Sequence, residues 1–260
     1  MTRVNADRIV LVHGFTQTAS SWRPTVARLA ASLGPAVDIV ALDAPGHGHR
    51  GDIHADLAAG ASMLADEGGR GTYIGYSMGG RLCLHVALAS PHLVDRLVLI
   101  GTTPGIEDDE ERATRRADDD ALADEIERIG VGAFLERWLA QPLFARLERS
   151  DADVQNRLTN NAAGLATSLR LAGTGTQTPL WARLGELAMP VLVLAGEHDA
   201  KYLAIGRRMA DAIADSSFVV IEDAGHAVHL ERPAQTCAAI VTWLRSRQPP
   251  TASPSANRQP

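Results

Sequence analysis

The 260-residue sequence lacks several features that identify whole classes of protein. Its two cysteines, Cys83 and Cys237, fit neither a disulfide framework nor the spacing of a metal site, so we expect both to be small core residues. There is no early apolar run of signal-peptide length and no apolar stretch of about 18 residues, so neither secretion nor membrane insertion is predicted, and a cytoplasmic protein is expected. The formal net charge is −6 and no basic stripe is present, which argues against a nucleic-acid partner.

The hydrophobic content is 45% of the residues, which is enough for one domain with a sizeable core. Short apolar runs alternate with helix-length patterns along most of the chain. The runs lie at residues 9–12, 37–42, 72–74, 97–100, 191–195 and 219–221. This alternation predicts an α/β fold, with a mostly parallel sheet flanked by helices on both faces.

Residues 105–187 break the alternation, because they are rich in charged and helix-forming residues and contain no clear strand. Helical patterns lie at 110–116, 121–129, 134–139 and 154–171. We therefore predict a helical cap at 105–187, inserted into a core formed by residues 1–104 and 188–247. The tail at 248–260 contains four prolines with serine and alanine, and it is predicted to be disordered.

The most informative local pattern is Gly-Tyr-Ser-Met-Gly at positions 75–79, between an apolar run and a helix-like segment. It is typical of a nucleophile elbow, in which the serine occupies a strained strand-to-helix turn and flanking glycines allow close backbone approach. Alone, the pattern also fits an ordinary glycine turn. Ser77 is the candidate nucleophile or base.

Two further residues follow predicted strands in an order that supports this interpretation. Asp199 comes shortly after the run at 191–195, and His226 comes after the run at 219–221. The chain order Ser77, Asp199, His226 is that of the α/β-hydrolase fold and differs from the order in other serine-triad folds. Another histidine, His229, and another acid, Asp223, compete for the same roles, whereas His198 is expected to be a solvated turn residue.

Backbone groups complete the predicted catalytic site. His-Gly-Phe at 13–15 ends the first strand, and a backbone N–H there can form one arm of an oxyanion hole. The N–H of Met78, directly after Ser77, would supply the other arm.

Motifs across nearly the whole chain resemble one branch of the α/β-hydrolase family, the MenH-like 2-succinyl-6-hydroxy-2,4-cyclohexadiene-1-carboxylate synthases of menaquinone biosynthesis. The general hydrolase motifs are shared by many esterases. The arginine directly after the glycines of the elbow and the Trp…Gln-Pro-x-Phe pattern are specific to a much smaller set of proteins. The motifs are His-Gly-Phe-Thr at 13–16, Gly-Tyr-Ser-Met-Gly-Gly-Arg at 75–81, Trp138 with Gln-Pro-Leu-Phe at 141–144, Gly-Thr-Gly at 173–175, Gly-Glu-His-Asp-Ala-Lys-Tyr at 196–202 and Ala-Gly-His at 224–226.

The resemblance implies an elimination without a metal or organic cofactor. A proton next to a succinyl ketone is removed, pyruvate is expelled from an enolpyruvyl ether, and a conjugated diene remains. Ser77, activated by His226 and Asp199, would act as the base, and the N–H groups of Phe15 and Met78 would receive the enolate oxygen. The implied partner is a small tricarboxylate; the sequence does not indicate an oligomeric state.

The resemblance also assigns cationic and aromatic residues to substrate binding. Arg81 would bind a carboxylate, although an arginine packed on the sheet edge is the alternative. Arg115 and Arg157 would bind the other two carboxylates. Arg112 and Arg116 lie close to Arg115 in the sequence and are the alternatives if the alignment is shifted. Tyr76 and Trp138 would form aromatic walls, and a purely structural role for Trp138 stays open.

Two features depart from the family pattern. Few residues precede the first strand, so the antiparallel strands that often open this fold are expected to be shortened or absent. The acidic run at 118–120 lies beside Arg115 and would oppose an anionic ligand in the pocket, so we expect it to face water.

Two other function classes remain open. One is a hydrolase of esters or of carbon–carbon bonds in diketones, with Ser77 as a covalent nucleophile. The other is a non-catalytic binding module that keeps the fold and the pocket. Fold-level resemblance does not separate these classes, because function depends on the site.

Overall fold

The computed structural model describes residues 8–247, and its centre is a single sheet of six parallel strands in the order β2-β1-β3-β4-β5-β6. The strands are β1 (Arg8–Val12), β2 (Asp38–Leu42), β3 (Gly71–Tyr76), β4 (Val94–Ile100), β5 (Val191–Gly196) and β6 (Ser216–Ile221). This is the α/β-hydrolase arrangement, and the predicted fold class is confirmed.

The central strands are short and continuously apolar because helices cover both faces of the sheet. All six residues of β3 and all six of β5 are buried, whereas the edge strand β2 is only partly buried. Parallel pairing brings the carboxyl ends of the strands to one edge, where Val12 lies beside Gly75 and Gly75 beside Leu99. Loops that leave these ends therefore meet one another.

Helices occupy both faces, and each face has its own hydrophobic core. The α-helices are α1 (Arg23–Leu33), α2 (Leu57–Gly68), α3 (Met78–Ala89), α4 (Asp109–Leu139), α5 (Asp151–Arg157), α6 (Ala162–Ala172), α7 (Ala200–Ala212), α8 (Val228–Glu231) and α9 (Pro233–Ser246). Short 3₁₀ segments lie at Ala19–Trp22, Gly48–Arg50, Pro91–Leu93, Pro142–Phe144 and Trp181–Glu186. Leu64 of α2 and Met209 of α7 pack on one face of the sheet, and Leu29 of α1 and Ile240 of α9 pack on the other.

Between β4 and β5 the chain forms only helices and turns, and we call residues 105–187 the inserted segment. Its α4 and α6 pack together around a third core that contains Ile126, Phe134 and Leu165. The division of the chain into core and cap stays a prediction. Two local details differ from the expected helices: the pieces at 110–139 join into α4 across a kink at Gly130, and the segment at 154–171 is split into α5 and α6.

Every strand pairing within the described residues is parallel, and the expectation that the opening antiparallel strands are shortened or absent stays a prediction. The predicted disordered tail at 248–260 lies outside the described residues. None of the helices within residues 8–247 combines the length and the apolar character needed to cross a membrane. Cys83 and Cys237 are both buried, and they do not form a disulfide.

The kink in α4 gives a paired stability prediction. Gly130 has φ of 78°, a left-handed conformation that an L side chain rarely adopts, and the space around it is open. Gly130→Ala should therefore lower the free energy of unfolding by about 1 kcal/mol through backbone strain alone. Gly132→Ala, two residues on, should instead raise it by up to about 1 kcal/mol through helix propensity. Urea titration of both variants checks this, and equal stabilisation by both would contradict it.

Candidate active site

Ser77 stands in the turn between β3 and α3, where its φ of 51° and ψ of −110° place it in a strained conformation. The turn is possible because its glycines lack side chains. A Cβ on Gly79 would lie 2.2 Å from the carbonyl oxygen of Val12, and one on Gly75 would lie 2.4 Å from the carbonyl oxygen of Gly79. The pattern at 75–79 is thus a nucleophile elbow in its geometry.

The three predicted triad side chains lie in one hydrogen-bonded row. His226 Nε2 is 3.2 Å from Ser77 Oγ, and His226 Nδ1 is 2.7 Å from Asp199 Oδ2. Asp199 and His226 are both buried. Because the carboxylate accepts the Nδ1–H, the Nε2 lone pair faces the Ser77 hydroxyl, which is the tautomer that general-base chemistry requires.

Neighbouring groups fix the two loops that carry this row. Asp199 is also the N-cap of α7, since its Oδ1 accepts the N–H of Tyr202 at 3.2 Å. The buried carboxylate of Glu231 accepts the N–H groups of Gly225 and Ala227, one on each side of His226, with the second at 2.9 Å. Glu231 was not predicted from sequence, although Glu-Arg-Pro at 231–233 is a typical start of a helix.

The two predicted oxyanion N–H groups are available. Within residues 8–247, the backbone N–H of Phe15 and that of Met78 donate to no protein acceptor. Met78 is the first residue of α3, where backbone N–H groups have no partner inside the helix. The positive end of the helix dipole therefore adds to any stabilisation of negative charge beside Ser77.

A cavity of about 280 Å³ opens above Ser77, and every predicted substrate-binding residue lines it. Its wall comes partly from the sheet core and partly from the inserted segment. The lining includes Phe15, Gln17, Tyr76, Ser77, Met78, Arg81, Thr103, Arg115, Asp118, Trp138, Phe144, Arg157, Tyr202 and His226. The described residues contain no group of three or more His, Cys, Asp or Glu side chains that could hold a metal ion.

Arg81 lies on the first turn of α3, and its guanidinium is buried within the cavity wall. Its Nη1 donates to the carbonyl oxygen of Ala172 at 2.8 Å and to Gln177 Oε1 at 3.4 Å, both at the end of the inserted segment. Burial lowers the pKa of Arg81 to about 10. A buried cation with so few anionic neighbours favours an anionic ligand.

Arg115 reaches the same cavity from α4, and here the structure corrects the expected position of the acidic run. Asp119 does not face water: it is 1% exposed, its Oδ1 accepts a hydrogen bond from Arg115 Nε at 2.8 Å, and its Oδ2 accepts the N–H of Gly175 at 3.1 Å. The physical reason is the i,i+4 spacing, which puts Asp119 on the same helix face as Arg115. Asp118 lines the cavity and Asp120 is exposed.

Arg157, at the end of α5, is the most buried of the three arginines, at 1% exposure. Its Nε donates to Asp153 Oδ2 at 2.7 Å and its Nη1 donates to Thr16 Oγ1. The remaining Nη2 is buried and has no hydrogen-bond partner among residues 8–247, and the side chain lines the cavity. An unsatisfied guanidinium N–H of this kind is costly unless a ligand accepts from it.

Aromatic rings form the rest of the wall. Tyr76 packs against His226 with ring centroids 5.2 Å apart, and Tyr202 packs against His226 at 4.5 Å. Trp138 contacts Phe15 at 5.3 Å and Phe144 at 5.7 Å. Trp138 therefore lines the cavity and also packs against a ring of the loop after β1 and a ring of the inserted segment, and its role in substrate binding stays a prediction.

The competing residues lie elsewhere. Asp223 is exposed and pairs with Arg146 and Arg232, and His198 is a half-exposed turn residue. His229 is fully buried between Trp22 and Tyr76, with ring centroids 4.5 and 4.3 Å away, and it does not reach Ser77. Burial lowers its pKa to about 3.

Several cavity residues were not predicted from sequence. Tyr202 and Phe144 belong to motifs that were noted, so a signal existed for them. Gln17 and Thr103 line the cavity with no sequence signal that distinguishes them from other loop residues.

A profile of the Alpha/beta hydrolase family matches residues 9–240. The chain belongs to this family. A Bacillus subtilis (strain 168) protein that carries the provisional name 2-succinyl-6-hydroxy-2,4-cyclohexadiene-1-carboxylate synthase is 38% identical over 239 residues, which is 88% of this chain and 86% of that protein. The synthase of that name from Klebsiella pneumoniae (strain ATCC 700721 / MGH 78578) is 32% identical over 247 residues, covering 92% of this chain and 94% of the relative.

Among solved structures, this α/β-hydrolase is similar to MenH from S. aureus. The TM-score is 0.85 at 30% sequence identity, with 93% of this chain and 94% of the other covered. The resemblance to the MenH-like branch that the motifs indicated is therefore confirmed.

Buried neutral histidines give this α/β-hydrolase a predictable response to acid. The pKa values of His47 and His229 are about 3, against 6.5 for an unperturbed histidine. Between these values the unfolded chain binds more protons than the folded one, so the free energy of unfolding should fall as the pH drops from 6.5 towards 3.

His229→Phe should keep the ring packing against Trp22 and Tyr76 and remove one buried neutral histidine. The slope of unfolding free energy against pH should then decrease by up to about 1.4 kcal/mol per pH unit in this window. His54→Phe, at an exposed position, is the matched control. Denaturant titrations from pH 7 to 4 measure the slopes, and an unchanged slope in His229→Phe would count against a neutral buried His229.

Proposed function

We propose that this α/β-hydrolase is a carbon–oxygen lyase of the MenH type, a 2-succinyl-6-hydroxy-2,4-cyclohexadiene-1-carboxylate synthase. Its substrate would be 2-succinyl-5-enolpyruvyl-6-hydroxy-3-cyclohexene-1-carboxylate, which carries three carboxylates. The observation that carries the proposal is the convergence of Arg81, Arg115 and Arg157 on the cavity that holds Ser77. The names of the similar proteins support the same assignment.

In the proposed reaction Ser77 takes the proton from the carbon next to the succinyl ketone. His226 Nε2, 3.2 Å from Ser77 Oγ, receives the proton of the hydroxyl as the serine acts as base. Asp199 holds the imidazole and stabilises its charged form through the 2.7 Å contact to Nδ1. The electron pair of the broken C–H bond forms the enolate, and its collapse breaks the ether C–O bond, whose electron pair leaves with enolpyruvate. A proton equivalent to the one held by His226 then converts enolpyruvate to pyruvate and restores the neutral imidazole.

The negative charge that develops on the ketone oxygen needs donors that are already in place. The unpartnered N–H groups of Phe15 and Met78 are suited to this role, and each such donor contributes about 3 to 4 kcal/mol in comparable oxyanion holes. Residues of the inserted segment line part of the cavity, which would limit the access of water to these donors.

The three arginines would bind the carboxylates. Arg81 and Arg157 are buried with N–H groups directed at the cavity, so each gains a charge-assisted hydrogen bond when an anion enters. Arg115 shares its charge with Asp119, so its contribution is expected to be the smallest of the three.

A second candidate is a hydrolase in which Ser77 attacks a carbonyl as a covalent nucleophile. The same row of side chains and the same N–H groups suit a tetrahedral intermediate, so the catalytic groups alone do not separate the two reactions. The arginines favour the lyase, because a neutral ester or diketone offers no carboxylate to the guanidinium groups that line the cavity.

Ser77→Ala should reduce pyruvate release from the tricarboxylate by about 10³-fold or more, since the base is removed. The measurement follows pyruvate and diene absorbance, with the spontaneous elimination subtracted, beside a panel of p-nitrophenyl esters. Fast wild-type elimination with only trace ester cleavage supports the lyase. Brisk ester cleavage without acceleration of the elimination would assign the chain to the hydrolases.

Arg81→Ala should lower kcat/KM for the tricarboxylate by about 10- to 100-fold, the value of a lost hydrogen bond to a charged group. Turnover of any neutral ester should change much less. Arg112→Ala is the control for the loss of an arginine outside the cavity. Arg112 lies on α4, as Arg115 does, but it bonds the carbonyl oxygen of Ile106 and does not line the cavity. An unchanged reaction in Arg81→Ala would falsify the proposed pocket.

A further inference from the structure

The residue after Phe15 is held in an unusual backbone conformation. Thr16 has φ of 66°, and it is one of only three non-glycine residues within 8–247 with positive φ, together with Ser77 and Asp223. A β-branched residue avoids this left-handed region. Such a conformation persists only when its surroundings determine it, and it is often found at functional sites.

Three side chains from two segments hold Thr16: His47 follows β2, and Arg157 and Asn160 lie three residues apart in the inserted segment. His47 Nε2 accepts its N–H at 3.3 Å, Asn160 Nδ2 donates to its carbonyl oxygen at 2.8 Å, and Arg157 Nη1 donates to its Oγ1. All three of these side chains are buried. We call Thr16 with His47, Arg157 and Asn160 the Thr16 clasp. Every polar group of Thr16 is thus fixed by a directional bond.

Asn160 connects the inserted segment to two loops of the sheet core. It belongs to the inserted segment, between α5 and α6, while its amide bonds two loops at the strand ends. Its Nδ2 reaches Thr16 in the loop after β1, and its Oδ1 accepts the N–H of Gly48 after β2 at 2.8 Å. Both ends of the amide are used, so its orientation is determined.

We propose that Asn160 is a positioning residue that directs the Phe15 N–H towards the reacting oxygen by holding Thr16 in its left-handed conformation. The Phe15 N–H lies one peptide unit before the Thr16 N–H, so a change in the conformation of Thr16 reaches this donor through the backbone of Phe15. The inference rests on the oxyanion role given to Phe15 in the proposed function. It adds that this donor is set by the inserted segment and not by the sheet core alone.

The clasp also links carboxylate binding to the oxyanion loop. Arg157 bonds Thr16 through Nη1, while its Nη2 has no protein partner and its side chain lines the cavity. A carboxylate on Arg157 would therefore share this guanidinium with Thr16. When a substrate carboxylate is bound by Arg157, the Phe15 N–H would already be aligned with the reacting oxygen.

The chain offers a matched pair of neighbouring residues for the test. Asn160→Ala removes the side-chain bonds to the Thr16 carbonyl oxygen, to the Gly48 N–H and to the Arg157 carbonyl oxygen. Asn161→Ala removes instead the N-cap of α6, a 2.6 Å bond to the N–H of Gly164, and a contact to Asp52, and it does not touch Thr16. Asn160→Asp is a nearly isosteric second variant that keeps an acceptor for Gly48 N–H and loses the donor to Thr16.

Asn160→Ala and Asn160→Asp should lower kcat by about tenfold or more with KM changed less than threefold, because the donor matters most in the transition state. Asn161→Ala should lower the melting temperature but keep kcat within twofold. Kinetics are measured on the tricarboxylate and on p-nitrophenyl esters, since both enolates and tetrahedral intermediates need the same donor. Unchanged kcat in both Asn160 variants, on whichever substrate the wild type turns over, overturns the inference.

A spectroscopic arm separates this inference from the proposed function. The backbone amide resonance of Phe15 should move in the ¹H–¹⁵N spectrum of Asn160→Ala and Asn160→Asp, and stay in place in Asn161→Ala. This readout does not depend on the substrate, so it decides the positioning role even if the wild type releases no pyruvate. An unmoved Phe15 resonance in both Asn160 variants would show that Asn160 is only structural.

Discussion

The active site depends on a close approach of two backbones. α3 begins so near the end of β1 that only glycine fits at position 79, where a Cβ would lie 2.2 Å from the Val12 carbonyl oxygen and 2.5 Å from that of His13. This contact places the first turn of α3 beside the loop after β1. Ser77, the Met78 N–H and the Phe15 N–H therefore come together because a helix and a strand meet without side chains between them.

The second organising constraint is electrostatic. The cavity gathers guanidinium groups away from water, and burial lowers the pKa of Arg81 while leaving the Arg157 Nη2 without a partner. Such groups reduce the stability of the empty protein, since buried polar groups without partners are costly. Under the proposed function, an anionic ligand would supply the acceptors that the described residues leave out.

Much of the fold could be predicted from sequence because parallel strands are short, apolar and separated by helix-length patterns. Ser77, Asp199 and His226 could be assigned for the same reason, since each follows one of these strands. The position of Asp119 was predicted wrongly, because the face of α4 that is buried depends on Gly175, which lies 56 residues further along the chain. The break between α5 and α6 and the roles of Glu231 and Asn160 depend likewise on contacts formed only after the chain has folded.

The cations of the cavity belong to different parts of the molecule: Arg81 to the sheet core, and Arg115 and Arg157 to the inserted segment. A ligand with several carboxylates would therefore act as a non-covalent cross-link between these parts. It binds the folded chain and not the unfolded one, so it would raise thermal stability with the logarithm of its concentration. A monocarboxylate has only one anionic group to share among these arginines, so it would cross-link the two parts less firmly than a ligand with several carboxylates.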